Sequence, residues 1–340
     1  MKQVWISRTG GPEVLEVREA PDPEPGAGQV RIRVAASGVN FADTMARIGL
    51  YPDAPKIPCV VGYEVAGTVD RVGTGATGFG EGDRVMALIR FGGYSDVVVA
   101  PAVQVVKLPD ALSYEKAAAL PVNYLTAWIM LVVLGNVQAG EKVLVHAAAG
   151  GVGQAALQIC KHRGAVVFGT ASPGKHARLR ELGVSHCIDY TTQDFAEEVA
   201  RLTAGRGVDI VLDALGGKAL AKSYASLAPL GRLFTFGGSS FSSGGARKIW
   251  NIATEFLGMP TFKPLGLMDK NRGVFGVNLG HLWGETARTQ RLLKDILVLV
   301  ENGVLDPVVD RSFPFARAGE AHMHLSDRKN FGKVLLVPGG

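Results

Sequence analysis

Cysteine is scarce in this chain: Cys59, Cys160 and Cys187 are the only three in 340 residues, and no two form a CxxC pair. Scattered single thiols suit reduced cysteines in a cytosolic protein and argue against a disulfide framework. Cys160 falls in a helical stretch and Cys187 in a strand-like one, so core packing is expected of both. No apolar run approaches the roughly 20 uninterrupted residues that span a bilayer. The opening MKQVWISRTGGPEVLEV lacks the basic-then-apolar plan of a signal peptide, so export is not expected and a cytoplasmic location is. A block of one charge is missing too. Net charge is +5 and pI 9.1, but Lys and Arg are spread along the chain. That pattern reads as a solvated surface, and no nucleic-acid partner is expected. No internal repeat is visible.

What is present suffices for sizeable cores. With 47% hydrophobic and 20% charged residues the composition is that of a soluble globular protein, and 340 residues predict two domains. Residues 1 to about 120 are β-rich: VRIRVAASGV, EVAGTVDRVG, DRVMAL and YSDVVVAP are short, β-branched and separated by Gly or Pro turns. Such spacing predicts a compact barrel or rolled sheet. From about residue 124 strands and helices alternate: VLVHA, then VGQAALQICKHRG, VVFGTA, GKHARLRELG, HCIDY, and onward to RLFTFGG. Alternation predicts a parallel sheet whose crevice lies at the carboxyl ends of its strands. RGVFGVNL adds a strand, residues near 285–302 a long helix, and the ending a helix, a turn and a last strand.

The turn Ala147-Ala148-Ala149-Gly150-Gly151-Val152-Gly153 is an AxxGxxG variant of the dinucleotide fingerprint, set between a strand and a helix. Small residues let backbone approach a pyrophosphate, whose charge rests on amides at the helix N-terminus. Where the second strand ends, an Asp or Glu would accept hydrogen bonds from a ribose 2′-OH. Ser172 stands there, followed by Lys175, with His176 and Arg178 nearby. A hydroxyl and an ammonium suit a 2′-phosphate, so the expected cofactor is NADP(H).

The β-rich front, the AxxGxxG turn, the Ser172–Lys175 pair and the terminal NFGKVLLVPG together resemble the medium-chain dehydrogenase/reductases. Within that superfamily GVNFADTMARIGLYP and AAAGGVG are similar to the zinc-independent quinone oxidoreductase branch. NFADTMARIGLY, AAALPVNYLTAW and GTASPGKH look closest to the vesicle amine transport protein-like subgroup. The resemblance implies an α/β fold of two parts. Residues 1–122 and 270–340 would form a GroES-like β-rich catalytic domain, and residues 123–269 a Rossmann domain with a doubly wound parallel sheet that binds NADP. It also implies a homodimer formed through strands such as 273–278. Zinc alcohol dehydrogenases of the superfamily supply an early Cys and the His of a GHE segment. Here SGVNFAD offers Ser37 and Asn40, the later segment is Gly62-Tyr63-Glu64, and RFGGYSDVVVAP holds no Cys for a structural loop. His322 and His324, two apart on a predicted helix, point to different sides. No metal site is expected. Without a Lewis acid, the accessible chemistry is hydride delivery to an electron-poor acceptor. The implied activity is NADPH-dependent reduction of quinones or α,β-unsaturated carbonyls, with that small molecule as partner.

Matched motif by motif, Asn40 and Asp43 would border the nicotinamide pocket, Asn40 donating to a substrate oxygen and Asp43 orienting a neighbour or capping a helix. Tyr51 would line the substrate mouth and stack or relay a proton, and Tyr63 would pack near the same wall. Asn123 and Thr126 match contacts to nicotinamide or ribose. Tyr190 matches a position that helps hold the adenosine phosphate. Leu215 and Gly216, then Phe236 and Gly237, close successive strands beside the cofactor, and Phe275 and Val277 approach the nicotinamide. Asn330 and Lys333 would reach its phosphates from the front domain. His146 reads as a buried or turn-satisfied histidine, since hydride transfer to a quinone needs no strong base.

Two other readings follow from the same residues. An enoyl-thioester (acyl-CoA or acyl-carrier) reductase would use the same cofactor site, with Tyr51 as proton donor and Arg90, Arg247, Lys248 and Lys263 as a basic track. A nucleotide-responsive vesicle- or membrane-surface protein would use the amphipathic KIWNIATEFLGMPTF. That segment carries few charges, so a lid over a substrate is the preferred use and membrane association is not expected.

Overall fold

The computed structural model describes residues 1–242, 254–255 and 257–339. Arg247, and residues 248–253 and 256 of the amphipathic segment KIWNIATEFLGMPTF, lie outside them. The chain divides into two compact units, Met1–Leu125 with Leu279–Gly340, and Thr126–Asn278.

The first unit is built on an eleven-residue strand, Gln29–Val39, that pairs antiparallel with Glu64–Val72, Val97–Pro101 and Lys333–Val337. Val309–Pro314 extends the sheet in parallel beyond Lys333–Val337, and Arg84–Leu88 and Val105–Lys107 extend it on the other side. Register shifts at Arg31/Ile32 and Val34/Ala36 bend the long strand. Its two ends therefore serve different cores. Val30 and Ile32 pack with Val65, Val85 and Val98, whereas Val39 packs with Ile6, Tyr94, Phe313 and Leu336. A hairpin of Lys2–Ile6 and Leu15–Glu19 was not legible as strands, because Val4 and Ile6 alone of its ten residues are buried.

The second unit carries a six-stranded, all-parallel sheet. Its spatial order is His186–Asp189, Val166–Ala171, Lys142–Val145, Val208–Asp213, Leu227–Thr235, Gly273–Gly276. Numbered along the chain from Lys142–Val145, this is the doubly wound order of dinucleotide-binding sheets, with its reversal between the first and fourth strands. Helices Gly151–Arg163, His176–Glu181, Phe195–Leu202 and Ala219–Ala225 intervene. Strands covered on both faces read as continuous apolar runs, which is why VVFGTA and DIVLD stand out. Leu144, Phe168, Ile188, Val211 and Leu233 form the core.

One boundary moves. The returning segment was expected to begin at 270, which placed strand 273–276 in the front domain. It pairs instead with Leu227–Thr235, Phe275 stacks on Phe234 at 5.0 Å, and Val277 N–H bonds Thr235 O at 3.0 Å. The pattern of RGVFGVNL specifies a strand but not the sheet it joins. The other division falls inside helix Pro121–Trp128, which runs on into a π-helical segment, Ile129–Leu134.

Candidate functional site

Strand Lys142–Val145 opens into the turn that the glycine motif announced. Ala147 adopts φ +52°, the left-handed region that L residues rarely enter. Gly150 N–H closes the turn onto Ala147 O at 2.8 Å, and Ala148 N–H reaches Thr170 O on the neighbouring strand at 3.1 Å. A Cβ on Gly153 would lie 2.5 and 2.6 Å from the carbonyl oxygens of Ala147 and Ala148. Only glycine lets the helix approach the turn so closely. The first amides of the thirteen-residue helix Gly151–Arg163 have no preceding carbonyl to bond, and their partial charge favours an anion. Gly153→Ala is expected to force a backbone shift and lower stability by about 1–3 kcal/mol. Urea unfolding would show a lower midpoint at unchanged m, and an unmoved midpoint would deny the close approach.

The remaining cofactor candidates of this unit gather at the carboxyl edge of the same sheet. Ser172 follows Ala171, the last residue of the second strand, and is half-buried. It heads a single 3-10 turn, and Lys175 N–H donates to its carbonyl at 3.0 Å. His176 is buried and donates from Nε2 to Ala171 O at 3.0 Å, so that nitrogen is spent inside the fold. An acid does stand at the end of the third strand: Asp189, whose oxygens accept from Thr191 and Thr192 and which these bonds hold below the usual carboxylate range. Tyr190 follows it and is 40% exposed. Leu215 and Gly216 turn their amides onto Asp213 Oδ1 at 2.8 and 2.7 Å. Phe236 and Gly237 leave the fifth strand, Phe236 N–H bonding Asp213 O at 3.1 Å, and Val277 leaves the sixth, just past Phe275. Thr126 is buried on helix Pro121–Trp128, one turn beyond Asn123, which is also buried.

In the front unit, Asn40 and Lys333 meet at a residue for which sequence reasoning had no role, Glu64. Glu64 is fully buried; its Oε1 pairs with Lys333 Nζ and accepts Asn40 Nδ2 at 3.1 Å, and its Oε2 accepts Val122 N–H at 2.7 Å. Lys333, 3% exposed, also donates to Asn40 Oδ1 at 2.6 Å. Both ends of the Asn40 amide are thus engaged, and the Lys333 ammonium has two protein partners in place of the open reach expected of it. Of the three protons of the Lys333 ammonium these contacts use two, both in buried surroundings. Asn330 donates to Gly332 O at 2.9 Å and braces the turn before the last strand. The sequence carries a signal for Glu64, since it is the acid of the Gly62-Tyr63-Glu64 segment.

Asp43 is fully buried at the start of helix Phe41–Arg47. Its Oδ2 accepts Asn40 N–H at 2.8 Å and Tyr94 Oη–H at 3.0 Å, and its Oδ1 accepts Gly62 N–H at 3.3 Å. The capping expected of it is present in this form. Gly62 sits at φ +101°, where a Cβ would strike Tyr94 at 2.7 Å. With Tyr94's one proton on Asp43, His322 must donate from Nε2 to the Tyr94 oxygen at 3.1 Å, and burial holds His322 down at about 3. Burial pushes Asp43 up to about 7, against the opposing effect of its three donors and Lys333. The folded chain therefore holds an extra proton between the ordinary value of 3.8 and about 7. Stability linked to this group is complete at low pH and is lost as pH rises through that window. Asp43→Asn is expected to flatten this decline, and urea midpoints taken across the window would expose identical slopes if the linkage were absent.

Tyr51 is half-buried and meets Tyr63 edge-on at 6.4 Å, and Tyr63 tilts against Phe91 at 5.1 Å. The Tyr63 hydroxyl is buried and has no hydrogen-bond partner among the described residues. Burial, above all, raises the Tyr51 phenol from its ordinary value. Among the described residues no three His, Cys, Asp or Glu side chains are grouped to hold a metal ion.

Comparison with known proteins agrees with this architecture. An alcohol dehydrogenase GroES-like domain matches residues 26–110 and a zinc-binding dehydrogenase family matches residues 182–336. The synaptic vesicle membrane protein VAT-1 homolog of Homo sapiens is 44% identical over 96% of this chain and 83% of its own length. Escherichia coli quinone oxidoreductase complexed with NADPH superposes with a TM-score of 0.87 at 31% identity, covering 99% of this chain and 100% of that one. The CurK enoyl reductase superposes with a TM-score of 0.86 at 32% identity, covering 99% of each chain. This chain belongs to the medium-chain dehydrogenase/reductase superfamily, as an oxidoreductase-type member with relatives among the VAT-1 homologues and the quinone oxidoreductases.

Proposed function

We propose that this oxidoreductase uses NADPH to reduce quinones or α,β-unsaturated carbonyls, with no metal in the reaction. The observation that carries the reading is the end of strand Val166–Ala171, which opens onto Ser172 and Lys175 and bears no carboxylate. Gly153, whose Cβ would strike two turn carbonyl oxygens, lets helix Gly151–Arg163 close onto the turn, and the amides at that helix start suit a pyrophosphate. Ala149, Gly150, Gly151, Val152 and Gly153 would hold that group, with Ser172, Lys175 and Tyr190 on the adenosine side. Leu215, Gly216, Phe236, Gly237, Phe275 and Val277 would flank the rest. Bound there, the cofactor supplies a hydride to an acceptor already poor in electrons. The chain's own task is to bind, orient and keep water out. Tyr51, whose phenol stays protonated at neutral pH, is a candidate to supply the proton that the reduced acceptor needs.

Metal independence rests on the donor set. Tyr63 stands where zinc relatives carry histidine, in an aromatic cluster, and Asn40 is tied to Glu64 and Lys333. Excess EDTA is expected to leave turnover unchanged; inhibition reversed by added zinc would overturn this point. Phenanthrenequinone and crotonyl-CoA, each assayed with NADPH, test the acceptor class. The likeness to the CurK enoyl reductase favours a second reading, an enoyl-thioester reductase, and faster turnover of crotonyl-CoA would select it. Inactivity on both substrates would sink both readings.

Two lesser points complete the proposal. Among the described residues strand Gly273–Gly276 has a partner on one side only, and its other edge is the surface we assign to a homodimer, which gel filtration would check. Among the described residues no helix is long and apolar enough to cross a membrane. Together with a cytoplasmic location, this reading expects no cosedimentation with liposomes. The vesicle-surface reading rests on a segment, 248–262, of which residues 248–253 and 256 lie outside the described residues.

A further inference from the structure

The carboxyl ends of three adjacent strands in the parallel sheet are joined by an unbroken line of hydrogen bonds. Ala147 N–H lies 3.3 Å from Thr170 Oγ1, Thr170 Oγ1 lies 3.2 Å from His146 Nδ1, and His146 Nε2 lies 3.1 Å from Ser223 Oγ. Ser223 Oγ then donates to Asp213 Oδ2 at 2.5 Å. Thr170, His146, Ser223 and Asp213 are all buried. None of these side chains but His146 drew attention in the sequence, and the proposed hydride chemistry uses none of them.

The two ends of the line decide every proton between them. A backbone N–H only donates, and the carboxylate of Asp213 only accepts, taking Leu215 N–H and Gly216 N–H on Oδ1 as well. Ser223 has one proton, and it goes to Asp213, so its oxygen must accept from His146 Nε2. Nδ1 is then bare and accepts from Thr170, whose oxygen in turn accepts the Ala147 amide. His146 is thus a neutral ring of one tautomer, and burial, which pushes its pKa down, agrees. A hydrolytic triad is excluded, because Ser223 lies between the histidine and the acid and its proton is committed to Asp213.

We propose that His146 and Ser223 are positioning residues, which hold the glycine turn and the 213–216 loop in one fixed arrangement on either side of the sheet's reversal point. At one end the line holds the amide of Ala147, a residue in the left-handed region that nothing in its own side chain favours. At the other it fixes the carboxylate that turns the Leu215 and Gly216 amides inward. The consequence for binding rests on the NADPH reading; the proton order does not.

Both can be tested on the full chain. Nitrogen-15 labelling of histidine, with the His146 signals identified by their loss in His146→Gln, should show a protonated Nε2 and a bare Nδ1 throughout the neutral range. An imidazolium or the opposite tautomer would overturn the proposal. Calorimetric NADPH affinity should fall about tenfold in His146→Leu, which keeps volume alone. In His146→Gln, whose amide retains one donor and one acceptor at imidazole-like spacing, it should stay within about threefold of the parent. Equal weakening in the two variants, or none in either, would also overturn it. Should His146→Leu fail to fold, the tautomer and the His146→Gln affinity still decide. If the parent itself binds no NADPH, the cofactor reading fails, and the tautomer alone then decides the chain of bonds.

Discussion

Lys333→Met should cost the folded protein about 3–5 kcal/mol, the usual loss when one partner of a buried ion pair is removed. Glu64 would be left fully buried with only the Asn40 amide and the Val122 N–H for company. Removing the other charge as well should relieve most of this. The double variant Glu64→Gln/Lys333→Met carries no stranded ion, so its urea midpoint is expected well above that of Lys333→Met alone. The same measurement separates two roles for the lysine. A Lys333 that served chiefly as a phosphate ligand would leave the stability of the nucleotide-free protein untouched when replaced. A Lys333→Met protein unfolding at the parent midpoint would therefore rule out the Glu64 pairing as the residue's main work.

Lys175→Asp should weaken NADPH binding by tenfold or more and move preference toward NADH. A charge-assisted hydrogen bond contributes about 1.5–3 kcal/mol, and the substitution both removes a cation and sets a carboxylate beside the 2′-phosphate. With NADH the new carboxylate gains a ribose hydroxyl to accept from. Calorimetry with each nucleotide measures both shifts, and equal NADPH binding by variant and parent would show that Lys175 is not the phosphate's partner. Gly153→Ala disturbs the same turn without altering charge, so it should weaken both nucleotides alike.

How much of this was legible in the sequence depended on the range of the interaction. Runs such as VVFGTA and the turn Ala147–Gly153 announce themselves locally, because a doubly covered strand and a close helix approach each demand particular residues at neighbouring positions. The second strand's end at Ala171, with Ser172 next, could likewise be read by counting. Polar partnerships could not. Lys333 and Asn40 are 293 positions apart, and nothing in NFGKVLLVPG or GVNFAD says that one ammonium and one amide converge on Glu64. A lysine on a terminal motif was read as reaching outward, whereas the strand pairing of Lys333–Val337 with Gln29–Val39 turns it in. The misplaced strand 273–276 has the same origin: its own pattern is indifferent to which sheet it completes. His146 was rightly read as a satisfied, non-basic histidine, but its partners Thr170 and Ser223, on two other elements, were invisible.

Lys333–Val337 is the final strand, yet it lies beside Gln29–Val39 in the front unit, while Thr126–Asn278 forms a body of its own between them in sequence. The chain thus holds one module as an insertion within another. On a ribosome the inserted module is complete once residue 278 has emerged, whereas the host must wait for residues 333–337. Closing the host across about 150 intervening residues carries an entropic penalty that grows only with the logarithm of that length. A prematurely terminated product would accordingly own a finished nucleotide-binding module attached to a half-built, aggregation-prone sheet.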